Sequence, residues 1–321
     1  MNGHRPWSHV ALLAAALLLT AACAAARVPN IESLAPVAPL PPDAAEIRTP
    51  PQGPGEGNCD VEASLSPRRR AGALPPALAA IAGRKLRVGV DQNTYLFGFR
   101  DPSTAQLAGF DIDLAGEIAR DLTGDPNRVE LRSVTAQERT QALQNKQVDV
   151  VVRTFTATCE RRRDLDFSTV YYYAEEKFLV PKGSGIGNDV ADIAGKRVCV
   201  LNGSSSVAAM FALPRRPVVI GATSWTDCLV ALQQGQVEAI FGDVPILAGL
   251  VAQDHNLEIV GRSLGTGAYA VGIAKGNEDL VRFVNGVLER VRADGTWQSI
   301  YGRHLSALGP PPAPPQPKYS G

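Results

Sequence analysis

Short apolar strands alternate with amphipathic helices through the middle of this 321-residue chain, and that alternation constrains the fold more than any other feature. Leu86-Arg87-Val88-Gly89-Val90 reads as a buried strand, and residues 111–122 follow as a helix with Leu114, Ile118 and Leu122 on one face. A strand at 129–131, a helix at 136–144 and a strand at 148–152 continue the pattern. It then restarts, with strands at 196–200, 218–220, 237–241 and 257–260 and helices at 225–233 and 244–253. A last helix carries Leu280, Phe283, Val284, Val287, Leu288 and Val291 at helical spacing. Strands alternating with helices favour parallel sheets covered on both faces. Two such runs predict an α/β chain of two lobes around a cleft, with a ligand beyond the carboxyl ends of the strands.

The two ends have another character. Arg5 precedes an apolar stretch, Val10 to Ala22, that falls short of the roughly 20 residues needed to cross a bilayer, so 1–22 reads as an export signal. Thr20-Ala21-Ala22-Cys23 then resembles a lipobox, with Leu19 one place earlier than the usual Leu and Cys23 as the lipidated mature N-terminus. A plain secretory signal with a free Cys23 is the alternative. Residues 23–58 are rich in Pro and Ala and read as an extended tether, and 310–321 as a similar Pro-rich tail. Beyond Cys23, four cysteines remain, and an even number in an exported chain points to two disulfides. Three connectivities are possible. The favoured one joins Cys199 to Cys228 within one half, and Cys59 to Cys159, tying an N-terminal arm to the other half.

Lys and Arg number 32, as do Asp and Glu, so nothing electrostatic supports a nucleic-acid partner. The four His are scattered and no Cys-x-x-Cys or His-Glu-x-x-His spacing occurs, so neither a metal nor a cofactor is expected. Gly265-Thr266-Gly267-Ala268-Tyr269-Ala270 fits G-x-G-x-x-A but leads into a strand-like run, which fits a hinge or turn and not a dinucleotide site.

The informative local stretch is Thr156-Ala157-Thr158-Cys159-Glu160-Arg161, running on to Asp166-Phe167-Ser168. It places two hydroxyls and a guanidinium where a strand ends and a helix begins. Arg presents a planar fork of donors that matches a carboxylate, and hydroxyls and helix-start N–H groups add more. The stretch reads as a receptor for a small carboxylate such as an amino acid. An ordinary helix cap with a surface Arg fits the same residues.

Several ordered motifs add a resemblance. Gly109-Phe110-Asp111-Ile112-Asp113-Leu114 looks like G-F-D-x-D-L; Ala142-Leu143-Gln144, Val148-Asp149, Glu160-Arg161 and Asp166-Phe167-Ser168 continue it. Asp192-Ile193-Ala194-Gly195-Lys196 and Asp294-Gly295-Thr296-Trp297 complete it. From about Lys85 to Leu305 the chain resembles the extracellular solute-binding proteins of family 3, which bind polar amino acids. Within that family it is most similar to glutamine-binding-type lipoproteins of actinobacteria. The resemblance implies a two-lobe clamp, lobe 1 being 59–178 plus 266–309 and lobe 2 being 182–262. It implies that Arg161 clamps the ligand α-carboxylate and Thr156 holds the ligand backbone. Ser204 and Ser205 would present turn N–H groups, and Asp243 would pair with the α-ammonium.

The chain departs from the family in the aromatic residues that sandwich the ligand. After Asp91, the place of the first is taken by Thr94, and the second is replaced near Ala136. Arg139 stands where relatives that bind acidic amino acids place a basic group, and Arg153 is a second basic candidate beside the cleft. A buried cation favours a ligand with a second carboxylate. Aspartate or glutamate is therefore expected ahead of their amides, although a solvated helix Arg139 and a surface strand Arg153 remain alternatives. The expected partners are an ABC permease or a membrane sensor, with the protein itself a monomer held at the membrane by its lipid. The alternative function is an enzyme of the cyclohexadienyl or arogenate dehydratase type, with Asp91 or Asp243 as the acid.

Overall fold

A computed structural model describes residues 39–51, 59–68, 73–187 and 189–320. The expected signal peptide and Cys23 lie outside the described residues. Two sheets organise the rest. The sheet of lobe 1 has the order Val129–Ser133, Leu86–Val90, Val150–Val151, Gly272–Ala274, Leu165–Phe167. Its first three strands are parallel, with Leu86 opposite Val129 and Val88 opposite Val150. Helices Phe110–Thr123, Glu278–Ala293 and Thr296–His304 lay Leu114, Ile118, Val284, Leu288 and Trp297 against one face. The helical spacing of these apolar residues is what brings them to a single stripe.

Lobe 2 is built on the strand order Ala45–Glu46, Val218–Ala222, Arg197–Leu201, Ala239–Asp243, Tyr172–Pro181, Leu257–Val260. The central strand shows why an unbroken apolar run forms here. Val198 and Val200 enter one core with Val207 and Met210, while Cys199 and Leu201 enter the opposite core with Trp225, Leu229 and Leu247. A strand buried on both faces needs apolar residues at every position.

The lobes are joined by the strand Tyr172–Pro181 and the run back through Thr266–Tyr269. Tyr172 to Glu175 pair with 266–269, and from Glu176 the same strand belongs to lobe 2, Glu176 lying opposite Asp243. The pairing partner thus changes between Glu175 and Glu176. The strand continues through the junction without a break, so pairing partners, not local sequence, set the boundary.

The described parts of both Pro-rich ends dock on the lobes. Within 23–58, Ala45 and Glu46 add a strand to the edge of lobe 2, and the Ile47 N–H donates to the Val219 carbonyl at 2.8 Å. Leu40, Ala44 and Ile47 pack on the lobe 2 cores. In the tail, Lys318 and Tyr319 pair in parallel with Ala63 and Ser64, and the Tyr319 hydroxyl donates to Glu289. A few apolar and hydrogen-bonding side chains between the prolines suffice to dock each segment, and average composition hides them.

Disulfides join Cys59 to Cys159 and Cys199 to Cys228, with Cα separations of 5.7 and 5.6 Å. The first fastens the N-terminal arm to the start of the helix Cys159–Asp164, which carries Arg161. The next residue, Arg162, donates to the Val61 carbonyl of that arm. The Cys59–Cys159 bond closes a span of 100 positions. Replacing both residues by Ser is expected to lower unfolding free energy by about 3–5 kcal/mol in urea titrations. An unchanged midpoint and slope would show the arm to be energetically idle.

Candidate functional site

The carboxyl ends of strands from both lobes meet at one cleft. At its floor, Asp111 of the Gly109-Phe110-Asp111 motif is buried and accepts hydrogen bonds from the Thr154 N–H at 2.8 Å and the Tyr171 hydroxyl at 2.7 Å. This fixes the segment from Arg153 to Thr156, in which Thr154 holds a positive φ of 39°. The motif therefore supports the site without lining it. Burial pushes Asp111 up to about 7.

Arg153, Asp91 and Thr94 form one buried network. Arg153 Nη2 lies 2.7 Å from Asp91 Oδ2, and Arg153 Nε donates to the Val134 carbonyl. Asp91 also accepts from Thr94 Oγ1 at 2.5 Å and from the N–H groups of Gln92 and Asn93. Arg153 reaches the cavity wall, whereas Asp91 and Thr94 stand behind it. Arg153 is thus an interior ion-paired residue, not a surface strand Arg.

Arg139 and Arg161 share a platform. Their guanidinium carbons lie 4.1 and 5.0 Å from the Phe155 ring centroid. Arg139 donates through Nε to Ala136 O and through Nη2 to Gly203 O at 2.9 Å. Arg161 donates through Nη1 to Thr156 O and through Nη2 to the same Gly203 carbonyl at 2.9 Å. Arg139 is only 3% exposed, so the solvated-helix alternative is removed. Among the described residues neither guanidinium has an ion-pair partner. Desolvation lowers Arg161 to about 10 and, with the like charges of Arg161 and Arg153, lowers Arg139 as well.

Lobe 2 faces them with Asp243, at the start of the helix Val244–Val251. One oxygen of Asp243 accepts from the Tyr269 hydroxyl, and the other is buried without a partner. Burial, then the neighbouring Glu176 carboxylate, pushes Asp243 up to about 7. Glu176 accepts from Ser206 Oγ at 2.9 Å and is also shifted up by burial. The Ser204 hydroxyl is buried and unpartnered, but its N–H already donates to Leu201 O and closes the turn. That N–H is not the open donor expected from the sequence.

With Asp91 and Thr94 of the first-strand loop counted, the candidate ligand residues number nine, and seven line a single cavity: Arg139, Arg153, Thr156, Arg161, Ser204, Ser205 and Asp243. Sequence reasoning missed Trp225, Leu201 and Ile246 on the lobe 2 wall. Of these, Trp225 carried a readable signal. Ser224 and Asp227 form a capping box that sets Trp225 at the first position of a helix following a strand end. The cavity measures about 20 Å³, room for roughly one water. An amino acid can enter only if the lobes separate.

The raised acids set a pH dependence. Asp111 and Asp243 hold protons to about pH 7 that the unfolded chain releases near pH 4. The native state binds more protons in that window, so the stability of the ligand-free protein falls as pH rises from about 4 to about 7. Urea midpoints at pH 5 and pH 8 check this; an equal or higher midpoint at pH 8 would contradict it.

The sequence pattern of the bacterial extracellular solute-binding proteins, family 3, matches residues 86–307. The ABC transporter glutamine-binding protein GlnH of Bacillus subtilis is 34% identical over 229 residues, 71% of this chain and 84% of that protein. The glutamate-binding protein GluB of Corynebacterium glutamicum is 26% identical over 239 residues, 71% of this chain and 81% of that protein. Among solved structures, a solute receptor for L-cysteine of Neisseria gonorrhoeae superposes with a TM-score of 0.69 at 28% identity, covering 72% of this chain and 95% of the other.

Proposed function

Because the chain belongs to the bacterial extracellular solute-binding proteins, family 3, we propose that it is an exported, lipid-anchored receptor for acidic amino acids, with aspartate and glutamate ahead of their amides. The signal peptide would be 1–22 and the lipidated residue Cys23. Arg161 and Thr156 hold the α-carboxylate, Asp243 takes the α-ammonium, and Ser204 and Ser205 close over the ligand from lobe 2. Arg139 takes the side-chain carboxylate, with Arg153, Asp91 and Thr94 as the rigid wall behind it.

The charge count of the cleft carries this reading. Arg153 and Asp91 cancel as a pair. Arg139 and Arg161 then face one cavity carboxylate, Asp243, while burial keeps Glu176 toward its neutral form. The remaining positive charge calls for a ligand of net negative charge, since an unpaired buried charge is costly. The names of the glutamine- and glutamate-binding relatives agree with the amino-acid class, and that of the Bacillus subtilis protein favours delivery to an ABC permease. Reporting amino-acid supply to a membrane sensor would use the same closed form. The dehydratase alternative retains only Asp243 in the cavity, since Asp91 is committed to Arg153. No prephenate turnover is expected of the purified protein.

Arg139→Gln tests the side-chain assignment. Glutamate affinity is expected to fall about 100-fold, with glutamine affinity changed less than threefold, in calorimetric titrations. Equal losses for both ligands would remove Arg139 from side-chain recognition.

A further inference from the structure

Lobe 1 offers no aromatic ring at the two places where the resemblance leads one to expect them. Thr94 and Ala136 occupy those places, and both are buried. Lobe 2 packs against both places. Ala136 packs into the core cluster that contains Trp225, and the Trp225–Gln233 helix contacts the strand Asn93–Thr94. Trp225 also lines the cavity, is 3% exposed, and has an indole N–H without a hydrogen-bond partner. A buried indole N–H ordinarily finds an acceptor, so an unpaired one calls for an explanation.

Three devices hold this ring in place. Ser224 Oγ accepts from the Asp227 N–H at 3.1 Å, and Asp227 Oδ2 accepts from the Ser224 N–H at 3.1 Å, fixing the helix start. Cys228 ties the same helix to the strand Arg197–Leu201 through Cys199. Gly242 leaves room for the ring, since a Cβ there would stand 2.6 Å from Trp225 Cη2. A side chain fixed on three sides is preorganised, and preorganisation lowers the cost of binding.

Resting on the amino-acid receptor reading, we propose that Trp225 is the lobe 2 residue that reads the ligand side chain, replacing the lobe 1 aromatic pair. Its ring reaches the ligand only when the lobes close. An N–H donor on a ring that lines the same cavity as Arg139 suits side chains that end in an oxygen acceptor, carboxylate or carboxamide, and cannot pair with an ammonium or guanidinium group. Selection against basic amino acids is therefore built into the closed form.

Trp225→Phe keeps a ring and deletes the donor, and Trp225→Leu deletes both. Titration of each full-length variant with glutamate, glutamine and arginine, alongside wild type and Arg161→Ala, separates the possibilities. Trp225→Phe is expected to keep the wild-type melting temperature and weaken glutamate about tenfold. It should also lose the ligand-induced change in tryptophan emission. Trp225→Leu should weaken glutamate further and narrow its preference over arginine. If Trp225→Leu does not fold, Trp225→Phe decides alone. Wild-type affinity and an unchanged emission response in Trp225→Phe overturn the proposal and leave the receptor reading intact, provided Arg161→Ala has weakened binding. A wild-type protein that binds none of the three overturns both.

Discussion

Arg161→Ala is expected to weaken amino-acid binding by about 30- to 5,000-fold. Arg161 is a cavity guanidinium on the helix pinned by Cys59–Cys159, and among the described residues it donates to two carbonyl oxygens, Thr156 O and Gly203 O. A carboxylate is a stronger acceptor for that fork than either carbonyl, and a bidentate pair fixes orientation as well as energy. Removing one partner of a buried charge pair typically costs about 2–5 kcal/mol, because the other charge is left without compensation. Arg161→Lys is expected to recover little, since a single ammonium cannot reproduce the fork. Because Arg161 makes no ion pair with the described residues, the ligand-free melting temperature should change by only a few degrees. Calorimetry with glutamate, paired with thermal melts, reads both. Undiminished binding would place the α-carboxylate elsewhere.

Gly203→Ala is expected to weaken binding roughly 10- to 100-fold by obstructing closure. Gly203 sits at φ +74°, a conformation that a side chain disfavours. An added Cβ would also stand 2.9 Å from the Gln137 Cα, which belongs to the opposite lobe. Backbone cannot move aside as a flexible side chain does. The turn that carries Ser204 and Ser205, and whose carbonyl receives both Arg139 and Arg161, must then stop short of lobe 1. Small-angle scattering with saturating glutamate should show a more open envelope than wild type. Wild-type affinity and an unchanged compaction would show that the lobes do not need this contact.

Much of this arrangement was legible in the sequence, for identifiable physical reasons. The central strand is legible as an unbroken apolar run, because Val198 and Val200 must fill one core while Cys199 and Leu201 fill another. The guanidinium of Arg161 and the acid of Asp243 sit at strand and helix ends, where local chemistry announces them. What could not be read is pairing over distance. Asp91, Thr94 and Arg153 each looked available to a ligand, and only the fold shows that they satisfy one another. Likewise nothing local marks Leu40 and Ile47 as docking residues in a Pro-rich arm, because their partners lie in lobe 2. For Trp225 the capping box of Ser224 and Asp227 marks a helix start after a strand end, but not a cavity residue. Trp225 itself reads as one more apolar residue of a helix, and its exposure to the cavity depends on Gly242 and on the approach of lobe 1.

Titration of the wild-type protein at pH 7.5 with glutamate, aspartate, glutamine and arginine is the direct test of the central claim. The charge count of Arg139, Arg161 and Asp243 predicts that glutamate and aspartate bind at least about tenfold more tightly than glutamine, and that arginine does not bind. Tighter binding of glutamine or arginine than of either acidic amino acid would contradict it.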